Sequence, residues 1–443
     1  MLHFGTDGVR GVAIDELTPE LARDLARATS RVLQPAAVVI GRDTRESGPA
    51  LEKAIIDGCA AEGVPVYLLG VAPTPAVAFA SERNGWVGIA ITASHNSWSD
   101  NGIKVFASGG VKLDDAEQIE IERVWHALTA ETAPVALGTV HDASHIVAEY
   151  ATHRFNVIGG SLAGLSVVLD CAHGAMSSVA AEVFHVAGAS VEVINASPNG
   201  RNINEQCGAT SPQALAQHVI ASRADLGIAF DGDGDRLMAV TATGRVIDGD
   251  FLMAIAALDL SSRGLLRNKG VAVTVMSNLG FHHAMRNHDV DVVVTPVGDR
   301  NVLVALDEYD FVLGGEQSGH IVHRAHATTG DGLLAALVLC EYLVRSKESL
   351  DEAVTIMETY PQVLINVRTE NRVHDPVADI ASQIAAAEKE LGDEGRILVR
   401  ASGTEPLVRV MVEAANESLA QSTAEALALA LIAVHGGNIE GKH

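Results

Sequence analysis

AAVVIGRDTRESGPALEKAIIDGCAAEGVPVYLLG, residues Ala36 to Gly70, reads as strand, turn, helix and strand. AAVVI is a short continuous β-branched run, GRDTRESG breaks it, the following stretch carries apolar residues at helical spacing, and Gly63 introduces a second β-branched run. Two further stretches repeat the plan: LSVVLDCA to ASVEVIN (Leu165 to Asn195) and GVAVTVM to VDVVVTP (Gly270 to Pro296). Strands without polar alternation are buried on both faces, so each βαβ unit belongs to a sheet covered by helices on either side. The reading is an α/β protein built from three similar domains. After about residue 366 the pattern changes to NVRTENRV, a helix through Ile380 to Leu391, RILVRASGTEPLVRVMVEAAN and an Ala-rich helix, a smaller α+β unit. The expected domains are 1–152, 153–254, 255–366 and 367–443, in keeping with roughly 100 to 200 residues per domain.

Hydrophobic residues make up 48% and charged residues 20% of the chain, a globular composition. No apolar run reaches the roughly 18 residues that span a membrane, and ALALALIAV (Ala426 to Val434) reads as a buried helix. The opening residues MLHFGTDGVRG lack a basic stretch followed by an apolar core, so a cytoplasmic protein is expected. A net charge of −25 argues against nucleic acid and anionic membranes as partners. Any phosphate site is therefore built locally from amides and a few placed cations. Cys59, Cys171, Cys207 and Cys340 are far apart and read as four buried thiols rather than a zinc or redox site.

AFDGDGDRL (Ala229 to Leu237) carries the sharpest chemistry. Asp231, Asp233 and Asp235 alternate with glycines at the end of the buried strand ADLGIAF, where α/β proteins bind ligands. Three carboxylates converge there on one hard cation, the glycines let the backbone curl, and Arg236 offsets the surplus charge and pairs with phosphate. An EF-hand is excluded, because Arg236 and Ala242 stand where Gly and Glu are needed. RASGTEPLVR has the parts of a phosphate cradle: hydroxyls of Ser402 and Thr404, amides near Gly403, and the guanidinium groups of Arg400 and Arg409. GGEQSGH (Gly314 to His320) ends a βα region and puts Glu316 and Ser318 on one side if extended, an acceptor and a hydroxyl suited to a sugar. FGTDGVRG offers glycines and Arg10 to an anion, and GGNIEGKH fails as a P-loop.

ITASHNSWSDNGIKVF (Ile91 to Phe106) sets a puzzle. Adjacent residues on an extended strand point to opposite faces, so His95 is poorly placed to take the proton of Ser94. Another group must activate this serine, or it is already modified.

In order and spacing, FGTDGVRG, TASHN with NGIK, DGDGDR, GEQSGH and RASGTEPLVRV make the chain resemble the α-D-phosphohexomutases over essentially its whole length. The resemblance implies a four-domain phosphohexomutase architecture: three α/β domains with mixed sheets plus a smaller α+β C-terminal lid domain. It implies that Ser94 carries a phosphoryl group in the active enzyme and needs no triad. It further implies one magnesium ion on Asp231, Asp233, Asp235 and a phosphoserine oxygen, with Lys104 as general acid or base and Arg10 and His95 beside it. The substrate's own phosphate would sit on Arg400, Ser402, Gly403, Thr404 and Arg409. Glu316 and Ser318 would hold the ring, supported by His320, with Arg236, Asp299 and Arg300 lining the remaining wall. Phosphosugar substrates and a homodimer are implied as well.

Gln317, VGDR and TTGDG (Thr328 to Gly332) look like the branch that interconverts glucosamine 6-phosphate and glucosamine 1-phosphate, whereas glucose and mannose enzymes usually carry Met at the Gln317 position. Ser97 departs from the family pattern, since many relatives have Pro there to stiffen the loop. The competing readings are a phosphoglucomutase or phosphomannomutase, a magnesium-dependent sugar phosphatase and a non-catalytic sugar-phosphate or calcium sensor.

Overall fold

The computed structural model describes residues 2–5, 8–128, 138–402 and 405–440. The chain forms two compact units: Met1–Met276 with His288–Ile356, and Ser277–Asn287 with Met357–His443.

The first unit holds three mixed sheets that share a plan. In the first sheet, Val38–Arg42 pairs in parallel with Val66–Val71 on one side and Val87–Ile91 on the other. Asp100–Ala107 then adds antiparallel to Val87–Ile91. The second repeats this with Ser166–Asp170 between Ser190–Ile194 and Leu226–Phe230, followed by antiparallel Leu237–Thr241. The third has Gly270–Thr274 between Asp291–Thr295 and Leu313–Gly315, followed by antiparallel Ile321–His323. The quoted βαβ stretch is thus Val38–Arg42, helix Gly48–Ala61 and Val66–Val71. Of the strands read as doubly covered, the central ones Val38–Arg42, Ser166–Asp170 and Gly270–Thr274 are buried almost throughout, whereas Ser190–Ile194 and Asp291–Thr295, at the sheet edges, are largely half-buried or exposed. Each sheet ends its parallel part with a strand that turns straight back on itself, and the loops at those reversals carry TASHN, DGDGDR and GEQSGH.

The second unit is built on an antiparallel sheet in the order Arg396–Ala401, Leu407–Glu413, Gln362–Arg368, Asn438–Glu440. Helix Glu417–His435, the one described helix long and apolar enough to cross a membrane, packs Ala420, Ala424, Leu427, Ala428 and Leu431 into this unit's core. Helix Leu279–Asn287 groups with this unit. Its first amide, Leu279 N, donates to Glu413 Oε2 at 3.0 Å, and a carboxylate is favoured at a helix N-terminus. Arg396 Nε donates to the same Glu413 oxygen at 3.0 Å, which completes the charge pairing of a fully buried acid.

All four cysteines are free and buried. Burial pushes the thiols of Cys59, Cys171 and Cys207 up to about 12, so they are inert, as the spacing suggested.

Candidate active site

The acidic loop leaves the central strand Leu226–Phe230, so its position is set by the core of the second sheet. Asp231, Asp233 and Asp235 are buried, and oxygens from all three lie within 4.8 Å of one another. Gly234 turns the chain with φ +72°, and a Cβ at Gly232 would lie 2.6 Å from the Ser94 carbonyl oxygen, so a glycine is required by close approach. Asp233 Oδ2 accepts from Lys104 Nζ at 2.9 Å and from Thr74 Oγ1 at 2.6 Å, while Asp235 Oδ2 accepts from Lys104 Nζ at 2.7 Å. Burial, reinforced by Asp235 and Asp233, pushes the Asp231 carboxyl well above the usual range. Burial acts in the same sense on Asp235, but Lys104 and His320 overcome it and hold that carboxyl well below. The second oxygens of Asp233 and Asp235 are buried without a hydrogen-bond partner among the described residues. Buried all-oxygen donors left over after the internal ion pairs fit a hard divalent cation.

Ser94 meets this loop directly: its Oγ donates to Asp231 Oδ2 at 2.7 Å. The expected extended geometry does not hold, because Ser94 sits in a turn with φ +52°. That left-handed conformation brings His95 Nδ1 to 3.4 Å from Ser94 Oγ, whereas extended neighbours would diverge. Burial first, then Arg236 and Arg10, push His95 down to about 4, so its ring is neutral at pH 7. Arg236 Nη1 approaches the same Nδ1 at 3.3 Å.

The loop's stiffness comes from Arg45. Its guanidinium, fully buried on Asp43, donates to the carbonyls of Ser94 at 3.0 Å, Asn96 at 2.9 Å and Asp100 at 3.0 Å, and also to that of Ser97. Asn204 Nδ2 adds a second donor to Ser94 O at 2.8 Å and Asn96 O at 3.0 Å. The constraint that proline would supply at position 97 is thus replaced by hydrogen bonds to the loop's carbonyls. Arg10 Nη1 joins the same loop through Asn96 Oδ1 at 3.2 Å, while Thr6 and Asp7 of its motif lie outside the described residues.

GEQSGH forms the turn of an antiparallel hairpin, Leu313–Gly315 to Ile321–His323, and does not end a βα unit as expected. The turn still brings the predicted pair together, with Ser318 Oγ donating to Glu316 Oε2 at 3.3 Å. Gln317 Nε2 donates to Asp248 Oδ2 at 3.2 Å, and Arg236, Asp248, Glu316, Gln317 and Ser318 line one open cavity of about 490 Å³. His320 is buried with Nδ1 3.8 Å from Asp235 and Nε2 3.7 Å from Asp299. Lys112 Nζ pairs with Asp299 at 2.8 Å, and Arg300 reaches out to Asp115 at 2.5 Å. The first unit therefore joins Ser94, His95, Lys104, Arg10, the three aspartates, Arg236, His320 and Asp299 through a chain of contacts, with Arg300 turned to the rim.

In the second unit Arg400 and Arg409 sit directly opposite one another on antiparallel strands. Among the described residues neither has a carboxylate partner, and burial together with Arg409 lowers the Arg400 guanidinium pKa. Two facing, uncompensated cations favour an anion between them. Ser402 N donates to Leu407 O at 2.7 Å and closes the turn; Gly403 and Thr404 lie outside the described residues.

Residues 1–132, 146–244, 248–360 and 364–430 match phosphoglucomutase/phosphomannomutase alpha/beta/alpha domains I, II and III and the C-terminal domain of the same proteins. A phosphoglucosamine mutase of Frankia casuarinae is 49% identical over 96% of this chain and 97% of its own. The chain belongs to the phosphoglucomutase/phosphomannomutase family. A phosphohexomutase of this kind is an intramolecular phosphotransferase. Its fold is similar to that of a phosphoglucomutase/phosphomannomutase family protein from Burkholderia thailandensis, with TM-score 0.82, 25% identity and 98% of both chains covered. It is also similar to Aspergillus fumigatus N-acetylphosphoglucosamine mutase, solved in complex with GlcNAc-6P and magnesium, with TM-score 0.68, 18% identity and coverage of 98% of this chain and 96% of that one.

Against this phosphohexomutase frame, sequence reasoning missed Thr74, Arg45, Asn204 and Lys112. The signal for Arg45 was present in GRDTRESG, a charged turn at the carboxyl end of a buried strand. Asn204 and Thr74 carry no local signal, since their partners lie 110 and 159 residues away.

Proposed function

We propose that the chain interconverts glucosamine 6-phosphate and glucosamine 1-phosphate by way of phosphorylated Ser94 and glucosamine 1,6-bisphosphate, serving amino-sugar nucleotide and peptidoglycan precursor synthesis. The observation that carries the reading is the Ser94 hydroxyl, held 2.7 Å from Asp231 on a loop whose carbonyls are pinned by Arg45 and Asn204. Such a rigid, buried hydroxyl is prepared to give and take a phosphoryl group without reorganisation.

In one half-reaction a sugar hydroxyl attacks the phosphorus on Ser94, the P–Oγ bond breaks, and the hydroxyl proton passes by way of Lys104 Nζ to the departing Oγ. In the other half, Ser94 Oγ attacks the second phosphate of the bisphosphate, the bond from phosphorus to the sugar oxygen breaks, and the serine proton passes by way of Lys104 Nζ to that departing oxygen. Lys104 Nζ is held for this relay by Asp233 at 2.9 Å and Asp235 at 2.7 Å. Asp231, Asp233 and Asp235 would hold magnesium, which supplies charge stabilisation to the phosphoryl oxygens when bound. Glu316 and Ser318 would take ring hydroxyls, with His320, Asp299 and Arg300 in support, and Arg236 would face phosphate. Arg400, Ser402, Gly403, Thr404 and Arg409 would bind the phosphate that is not being transferred. Gln317 and the level of identity to a phosphoglucosamine mutase favour glucosamine as the sugar. The same reading expects a cytoplasmic homodimer with domains 1–152, 153–254, 255–366 and 367–443.

The test is turnover with magnesium on the 1-phosphates of glucosamine, glucose and mannose, after priming with a sugar 1,6-bisphosphate. A higher kcat/KM for glucosamine is expected; a preference for glucose or mannose would transfer the chain to the phosphoglucomutase branch, and release of inorganic phosphate alone would make it a phosphatase. Asp233→Asn should raise the magnesium concentration for half-maximal activity by at least about tenfold, because a ligand charge is lost. Arg409→Ala should raise KM by about tenfold to a hundredfold, the worth of a charge-assisted hydrogen bond, and an unchanged KM would remove it from the cradle.

A further inference from the structure

His3, Glu122 and His126 come together beside the start of FGTDGVRG and include none of the site residues named above. Glu122 and His126 are four residues apart on helix Asp115–Leu128 and so share one face, more than a hundred residues after His3 in sequence. Ligand atoms from all three lie within 4.8 Å of one another. His3 Nδ1 contacts Glu122 Oε1, and the two imidazole rings stand edge to face, centroids 5.7 Å apart at 87°. The arrangement is held from below: Phe4 N donates to Glu122 Oε2 at 3.1 Å, while Leu2 and Phe4 pack on the core of the first sheet. It is also reachable, since the His3 side chain is 66% exposed and that of Glu122 24%.

We propose that His3, Glu122 and His126 form a second metal site that takes a borderline transition-metal ion of the zinc class. Two imidazole nitrogens and one carboxylate oxygen are the donor set of three-ligand zinc sites, which leave a position for water. The aspartate triplet offers oxygen only, so the two sites differ in chemistry and share no residue. A net charge of −25 raises the local concentration of divalent cations around the whole surface. Bound metal would tie the N-terminal segment, which carries Arg10 into the Ser94 loop, to the helix Asp115–Leu128.

The experiment is a zinc titration of the full chain in saturating magnesium against a chromophoric chelator, on wild type, His3→Ala and His126→Gln. Wild type should bind one zinc per chain more than tenfold more tightly than either variant, and cobalt(II) bound there should show the absorption of a low-coordinate nitrogen-ligated ion. The His3 side chain is 66% exposed, so its loss leaves folding and magnesium-supported turnover intact and isolates the ligand effect. Equal zinc affinity in wild type and His3→Ala, unchanged affinity in His126→Gln, or no zinc bound at micromolar concentration would each overturn the site.

Discussion

Ser94→Ala is expected to reduce mutase turnover to below about one part in 10⁴ while sugar-phosphate binding stays within about tenfold of wild type. The substitution removes the atom that carries the phosphoryl group, and no other described hydroxyl sits in its place on Asp231. The loop itself should survive. Its geometry rests on Arg45 and Asn204, which grip backbone carbonyls and not the Ser94 side chain. Alanine in the left-handed region costs on the order of 1 kcal/mol, too little to unfold the first unit. Turnover and binding should therefore separate. Kinetics with bisphosphate priming, calorimetry with a sugar phosphate and intact mass after incubation with bisphosphate check the three parts. Residual turnover above one per cent, or phosphate still retained by the variant, would sink the phosphoserine assignment.

Asp331→Ala should destabilise the first unit by about 3–5 kcal/mol, the cost of stripping a buried charge of its partner. Asp331 belongs to the TTGDG stretch that resembles the glucosamine branch, yet its contacts are structural. It caps helix Gly332–Ser346 by accepting from Leu334 N at 3.0 Å, and it takes hydrogen bonds from Tyr150 Oη at 2.8 Å and Arg154 Nε at 2.6 Å. Tyr150 and Arg154 lie on helix His145–Ile158, so one carboxylate joins two helices inside the first unit. Arg154 is buried, with its guanidinium 5.0 Å from the Tyr150 ring centre and 5.5 Å from that of Phe79, and once Asp331 is gone it keeps the His326 carbonyl at 2.8 Å and His153 Nδ1 at 2.8 Å but no carboxylate among these contacts. Replacing both ions by leucine should recover part of the loss, because no unpaired charge remains. Urea unfolding of the three variants measures it. A loss below about 1 kcal/mol for Asp331→Ala would show that Arg154 finds water or another acceptor.

The local parts of this protein were readable in advance. Continuous β-branched runs marked the three parallel cores, and alternating aspartate and glycine at the end of ADLGIAF marked a carboxylate cluster, because both signals are written within a few residues of each other. That Arg400 and Arg409 belong to one anion-binding stretch was legible in RASGTEPLVR, while their direct facing across the hairpin is a finding of the structure. Errors arose where a local rule met a tertiary constraint. Ser94 was treated as extended, but its carbonyl is held by Arg45 and Asn204 in a left-handed turn, and its amide donates to Thr92 Oγ1 at 2.8 Å. GEQSGH was read as the close of a βα unit, and strand reversal against Ile321–His323 makes it a hairpin.

By itself the sequence determined the class of fold, the order of its sheets along the chain and the chemical types gathered at the site, since periodicity, turn residues and motif spacing are properties of short segments. Only the tertiary structure decided which of those groups touch. Ser94 finds Asp231 across 137 residues, Lys104 finds Asp235 across 131, Arg154 finds Asp331 across 177, and His3 finds Glu122 across 119. Contacts at such separations depend on how sheets and helices pack, and packing sums many weak, non-local contributions that no single stretch of sequence encodes.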